Sequence, residues 1–411
     1  MRTLAALTTL VVLAGACRTG AVAEPLSTPI YGELVCSGHA AAGLAETLLV
    51  GFSGSDATAA KPGFHLRYLY LSGVLAPSAG CYDLGRGNAV GCGSSWWGGW
   101  QWDQHPPGEY VTSFVTAAEG QGQLPMLTYY TLLQGSGVAE GTAEVTSAAR
   151  NASFMTTYFA DFRFLLQKIG THRALVHVEP DFWGYAQMAA ADAGTDARGL
   201  PAAVASANAA DCAGLPDSIA GFGACLVRMA RKYAPAASIA LHASAWGTRR
   251  DCVTNTDASL DVAAEGAKTA AFLAACDAGS ADLVVVDLAD RDAGFRQSQG
   301  QSAWLDATDQ TLPTFAQAFR WSRAIADGLG RPLLWWQLPV GNSALPDQSG
   351  AWRDNKVEYF FAHPDRVAAS GAIGMAFGAG ADGQTTPESD GGYLCSAAAA
   401  LAAAGGQPLC H

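Results

Sequence analysis

Ala174-Leu175-Val176-His177-Val178-Glu179-Pro180-Asp181-Phe182-Trp183-Gly184-Tyr185 is the stretch on which the fold reading turns. It begins as a β-strand, and side chains of a strand alternate between two faces. Val176 and Val178 fall on one face, His177, Glu179 and Asp181 on the other. Three ionisable side chains on one strand face are costly to bury unless they meet water, one another or a ligand. The strand is therefore expected to carry an apolar face toward helices and a chemical face toward an opening.

Seven further β-rich runs lie on either side of it: 47–53, 65–72, 126–132, 238–245, 282–288, 333–340 and 372–378. Helical patterns separate most of them, at 153–169, 218–233, 260–275 and 314–329, with shorter ones at 110–120, 352–363 and 393–404. Strands alternating with helices define a parallel α/β architecture, and eight such units predict a (β/α)8 TIM barrel. Only about a dozen residues separate the first two strands, the minimum for a parallel crossover. The first unit is expected to be irregular, and an incomplete barrel or a different first strand stays open. A doubly wound sheet is the rival, but no Gly-rich dinucleotide fingerprint follows an early strand.

Residues 1–17 read as a secretory signal: Met1-Arg2, an apolar stretch over 4–14, then Gly15-Ala16-Cys17. The ending is lipoprotein-like, with Cys17 as the lipid attachment point, although Ala14 stands where a larger aliphatic residue is usual. Residues 18–29 form a small-residue tether, and 30–411 a single barrel domain. The chain is thus expected to be exported, as a cell-envelope lipoprotein or a secreted protein of bacterial type. Ten cysteines fit an oxidising compartment. Close spacings suggest Cys81–Cys92, Cys212–Cys225, Cys252–Cys276 and Cys395–Cys410 as staples of long βα loops. Cys36 is left over, with Cys17 as its partner if that residue is not lipidated. No CxxC pair or compact Cys/His cluster occurs, so no metal is expected.

The formal net charge of −12 and the lack of a Lys/Arg run argue against nucleic acid, whose phosphates need a basic surface. Eleven Trp and twelve Tyr are more telling, because several stand in loops beside Gly and Asp. Trp96, Trp97, Trp100 and Trp102 lie within seven residues of a Gly-rich loop. They read as a substrate wall, or as packing that locks the loop over the barrel.

Active sites of such barrels sit at the C-terminal ends of the strands. Those ends supply Tyr130, His177, Glu179, Asp181, Trp183, His242, Trp246, Asp287, Trp335, Gln337, Asn342 and Asp382. Glu179 and Asp287 come from alternate strands and can face each other across the mouth. Glycosidic cleavage needs such a pair, one protonated acid for the leaving oxygen and one ionised base or nucleophile. Burial and a neighbouring carboxylate keep one of the two protonated. An ion pair with Arg291 or Arg249 is the structural alternative for Asp287.

With His177-x-Glu179-x-Asp181, the barrel-mouth Trp residues and an exported context, the chain resembles secreted (β/α)8 glycoside hydrolases over most of its mature length. In the large retaining group of these barrels, an acid Glu on the fourth strand is matched by a nucleophile Glu on the seventh. Glu179 matches the first role, whereas the seventh strand carries Gln337 and no carboxylate. The chitinase-like Asp-x-Asp-x-Glu order is absent as well. The resemblance implies hydrolysis of a polysaccharide or oligosaccharide without a cofactor, by Glu179 as general acid and Asp287 as base or nucleophile, with Asp181 and His177 tuning Glu179. Asp181 or Asp382 is the alternative partner for Glu179. Trp97, Trp100, Trp183, His242, Trp246, Trp335, Gln337, Asn342 and Tyr130 would bind the sugar. The partners expected are a carbohydrate and, through the lipid alone, a membrane; the chain is expected to be a monomer. Two other readings stay open: a non-catalytic surface-anchored glycan-binding barrel, and a metal-dependent hydrolase using His177, His242 and Asp287.

Overall fold

The computed structural model describes residues 44–72, 107–343 and 345–410, together with Leu34, Cys36, Leu75 and Trp100. The expected signal and tether, Cys17, the Cys81–Cys92 pair and Trp97 lie outside the described residues.

Eight parallel strands close into a barrel in sequence order: β1 Leu49–Phe52, β2 Leu66–Ser72, β3 Leu124–Tyr130, β4 Leu175–Val178, β5 Ser238–Ala243, β6 Leu283–Asp287, β7 Leu333–Leu338 and β8 Ala372–Phe377. All eight overlap the runs expected from the sequence, and the (β/α)8 architecture stands. The first unit is irregular, as its short spacing requires. Its crossover holds only the four-residue helix Asp56–Ala59, capped by the Ser55 hydroxyl and tied to the sheet by Gln123, whose amide donates to the Ala59 carbonyl.

The main crossover helices start where the sequence supplies caps. Asn151, Ser218, Asp261 and Thr314 each accept a hydrogen bond from a first-turn N–H of the helices Ala152–Ile169, Ile219–Tyr233, Val262–Ala275 and Phe315–Leu329. Several shorter helices escape the sequence reading, among them Leu132–Ser136, Thr142–Arg150, Phe182–Asp192 and Pro364–Ala369. Three of them belong to the loops after β3 and β4, where they build the rim of the mouth.

Register carries one inward face around the barrel. Tyr70 pairs with Thr128, Thr128 with His177, His177 with Ala240, His242 with Val285, and Asp287 with Trp336. Large and small residues alternate across the interior, so it is a packed core and not a pore. The Trp336 ring spans it, 6.0 Å from Tyr68, 5.4 Å from Tyr70 and 4.8 Å from His177. Gly374 makes room nearby, since a Cβ there would stand 2.7 Å from Leu334 Cδ1. The opposite parity faces the helices. Trp335 is fully buried, packs at 5.8 Å on Phe319 and 6.0 Å on Phe360, and donates its indole N–H to Ser370 Oγ. It is not a sugar platform, which corrects the parity expected for β7. An irregular register between Trp335 and Leu338, with Gln337 at φ 53°, makes the difference: Trp336 and Gln337 both reach the mouth.

Cysteine pairing follows the fold more than sequence spacing. Cys212–Cys225 forms as expected, and Cys410 bonds to Cys36 instead of Cys395. Cys252, Cys276 and Cys395 are free and buried. Among the described residues no helix is long and apolar enough to cross a membrane.

Candidate active site

A cleft of about 650 Å³ opens at the C-terminal ends of β2 to β7. Its floor is Trp336, with Tyr70 and Tyr130 on one side and Trp246 on the other. Trp246 is held upright against Tyr185, ring centroids 4.7 Å apart. Asp181, Asp287, Glu140, Gln134 and Gln337 point polar groups into the same space.

The strand-four motif splits. Alternation holds only while the backbone stays extended, and both Glu179 (φ 55°) and Asp181 (φ 63°) are left-handed. Glu179 is thereby turned away from the cleft into a sealed space behind the barrel. Its Oε1 accepts from the Tyr158 hydroxyl at 2.8 Å and from the Thr131 N–H at 3.2 Å, and the Leu132 N–H reaches both carboxyl oxygens at 3.1 Å. Burial pushes its carboxyl up to about 8, against the opposing pull of those donors. Beside it, Tyr129 donates to the buried Asp161 at 2.7 Å. Glu179 is fully buried and absent from the cleft lining, so the acid role expected for it has no access to a substrate. It secures the turn after β3 instead.

Asp181 takes the place expected of Glu179. It begins the helix Phe182–Asp192 without capping it, which leaves the carboxyl free to enter the cleft. Burial, and the negative charges of Asp287 and Glu140, push it up to about 6, while His242 and the Tyr130 hydrogen bond pull the other way. Tyr130 Oη stands 3.0 Å from Asp181 Oδ2 and 3.0 Å from Glu140 Oε1. A phenol owns one proton, so it donates to one carboxylate only; the second contact calls for a protonated carboxyl donating to the phenol oxygen. The geometry thus favours a proton on this acidic pair.

Asp287 closes β6 and faces the same space. Neither arginine weighed as its ion partner takes it: Arg291 pairs with Asp290 at 2.6 Å, and Arg249 pairs with Asp192. Arg296 also holds Asp290, at 2.7 Å. Behind Asp287 stand His242 and His177, buried in the barrel interior. Their facing nitrogens, His177 Nε2 and His242 Nδ1, are 3.2 Å apart and engaged with each other, an arrangement unlike a shared set of metal ligands. Among the described residues no group of three His, Cys, Asp or Glu is arranged to hold a metal ion.

Several expected sugar contacts lie elsewhere. Trp183 is buried, stacks on Phe222 at 5.7 Å and donates to the Val178 carbonyl. Trp100 is buried against Phe164, ring centroids 5.6 Å apart, and is not part of the cleft lining. Asn342 is spent on its own loop, donating to Ala351 O and accepting from Leu345 N–H. Asp382 lines a second, neighbouring cavity of about 840 Å³ that shares Tyr70 and Gly380 with the cleft. Trp246, Tyr130 and Gln337 are in the cleft as expected, and His177 and His242 lie beneath it. Tyr70, Trp336 and Glu140 were missed. The first has a legible signal, since it shares the inward parity of Leu66 and Tyr68 on β2; Glu140, in a loop, has none.

No protein-family profile matches the chain, and no curated protein matches it. Among solved structures the chain resembles an endo-β-1,4-mannanase of Cellulomonas fimi, at TM-score 0.47 and 13% identity over 87% of this chain and 71% of that one. It also resembles a xyloglucan-specific β-1,4-glucanase from a ruminal metagenomic library, at TM-score 0.45 and 13% identity over 87% of each chain. A third, GH26C from a Muricauda species, aligns at TM-score 0.47 and 9% identity over 87% of this chain and 86% of that one.

Proposed function

We propose that the chain hydrolyses glycosidic bonds, with Asp181 as general acid and Asp287 as base or nucleophile. The observation that carries this reading is the Asp181–Asp287 pair at one aromatic-floored cleft, with the Asp181 carboxyl pushed up to about 6. A leaving alkoxide needs a proton at the moment its bond breaks, and a carboxyl that is still partly protonated near neutrality supplies it. The opposite carboxylate then either activates water or attacks the anomeric carbon. Trp246 and Trp336 offer flat apolar faces of the kind that pack on sugar rings, and Gln134 and Gln337 offer amides for hydroxyls. Two disulfides support export, in keeping with a secretory signal over 1–17 that ends at a lipidated Cys17.

The test is reducing-end release from a broad panel of polysaccharides by the purified mature protein, with Asp181→Asn beside it. Release by the parent and at least about a hundredfold less by the variant is the expected outcome. Equal release by both removes Asp181 from the mechanism. Saturable glycan binding without release by either would replace hydrolysis with recognition.

A further inference from the structure

A file of polar side chains runs through the barrel interior to the buried oxygen of Asp287. Thr128 Oγ1 is 3.2 Å from His177 Nδ1, His177 Nε2 is 3.2 Å from His242 Nδ1, and His242 Nε2 is 3.5 Å from Asp287 Oδ1. The file climbs the barrel because the register steps upward. His177 pairs with Ala240, two residues below His242, and His242 pairs with Val285, two residues below Asp287. His177 and His242 are 0% and 1% exposed, and Thr128 is sealed as well. His242 Nε2 and Asp287 Oδ1 are buried without a hydrogen-bond partner and stand 3.5 Å from each other. The Trp336 ring lies edge-on to both imidazoles, at 4.8 and 5.8 Å, and blocks their rotation.

Buried polar groups of this kind are expensive unless each finds a partner. With both rings neutral, the donor count has one solution that suits an ionised Asp287. A carboxylate only accepts, so His242 must present Nε2–H to it. A neutral imidazole has a single N–H, so His242 Nδ1 accepts from His177 Nε2–H, and His177 Nδ1 accepts from the Thr128 hydroxyl. Burial holds His177 well below the ordinary histidine range, which keeps it neutral. The reverse order would aim a bare imidazole lone pair at the carboxylate.

We infer that Thr128, His177 and His242 are positioning residues, a one-way donor chain that fixes His242 as the Nε2–H tautomer and orients the Asp287 carboxylate. The inference rests on the reading of Asp287 as base or nucleophile, and it allots the two carboxylates their roles from opposite sides. Asp181 is held from the rim by the Tyr130 phenol, and Asp287 is held from the core by His242.

The experiment is histidine-selective ¹⁵N labelling of the full mature protein and a long-range ¹H–¹⁵N correlation spectrum, with the two rings assigned from His177→Gln and His242→Gln. Neutral Nε2–H signals for both rings are expected at about pH 8. A neutral Nδ1–H signal for His242 overturns the chain. Thr128→Val removes the hydroxyl at nearly constant shape and is expected to bring the other tautomer into both rings; an unchanged spectrum overturns its part. On a cleaved glycan, His242→Leu should lose about ten- to a hundredfold in kcat with KM little changed, a usual range for partners one shell away. His242→Gln, whose amide N–H can replace Nε2–H, should recover most of it, and equal losses overturn the positioning role. If no glycan is cleaved while both rings are Nε2–H, hydrolysis fails and the donor chain stands.

Discussion

Glu179 and Asp181 leave the same strand two residues apart, and both have left-handed backbones. Glu179 turns back under the barrel wall, where a tyrosine and two backbone N–H groups use up its carboxyl. Asp181 turns forward into an open cleft, shares a phenol with Glu140 and faces Asp287 across water-accessible space. Burial raises both carboxyls, yet one is sealed into the architecture and the other is within reach of a ligand. A raised pKa therefore does not by itself identify a catalytic acid; access does.

The largest expected effect separates the two directly. Asp181→Asn and Asp287→Asn should each lower kcat/KM on a cleaved glycan by at least about a hundredfold. Glu179→Gln keeps an oxygen for Tyr158 and Thr131 and should lower it by less than about tenfold. Michaelis kinetics on the three variants decide between them, and a greater loss in Glu179→Gln would restore the strand-four glutamate to the mechanism.

The next effect is in pH. A general acid acts only while protonated, so kcat/KM should fall as pH rises through about 6, the value to which Asp181 is raised. Two pH units above that limb the loss should be about a hundredfold. The Tyr130 hydrogen bond pulls Asp181 down, so Tyr130→Phe should move the limb to higher pH. Glu179→Gln should leave the limb in place. A pH–rate profile of the three proteins checks all of this.

A smaller contrast concerns two tryptophans. Trp246 stands in the cleft and is half-buried, whereas Trp335 is sealed among helices. Trp246→Ala should raise KM about tenfold, or 1.4 kcal/mol, with little change in Tm. Trp335→Ala should cost about 3–5 kcal/mol of stability, with KM unchanged in the fraction that folds. Paired kinetics and thermal melts read both out.

The smallest effect is on stability. Glu179 has a folded value raised to about 8, so its stabilising contribution is complete below the ordinary carboxylate value and is lost as pH rises through about 8. Tm should fall by a few degrees between about pH 5 and 8. In Glu179→Gln that fall should be shallower, with Asp161, raised to about 7, still contributing. Calorimetry against pH measures the slopes.

The eight strands and the long helices were legible because each is a local matter of period, cap and length. Tyr130, Trp246, Asp181 and Asp287 were legible as mouth residues for the same reason. Trp335 and Trp336 were transposed because two adjacent Trp residues carry no parity signal; only the hydrogen-bonded register to β6 says which one faces in. Glu140 lies in a loop whose position depends on the whole rim. The cysteines paired differently because the fold brings Cys410 to Cys36, 374 residues away along the chain.

By itself the sequence determined the barrel, the irregular first crossover and the strand ends from which the site is built, since alternation and capping act between near neighbours. Tertiary structure alone decided that Asp181 reaches the cleft while Glu179 does not, and that two histidines line up behind Asp287. Those outcomes depend on two left-handed residues and on how far each strand is shifted against the next. Such shifts are set by packing of the closed barrel as a whole, and no single segment of the chain contains them.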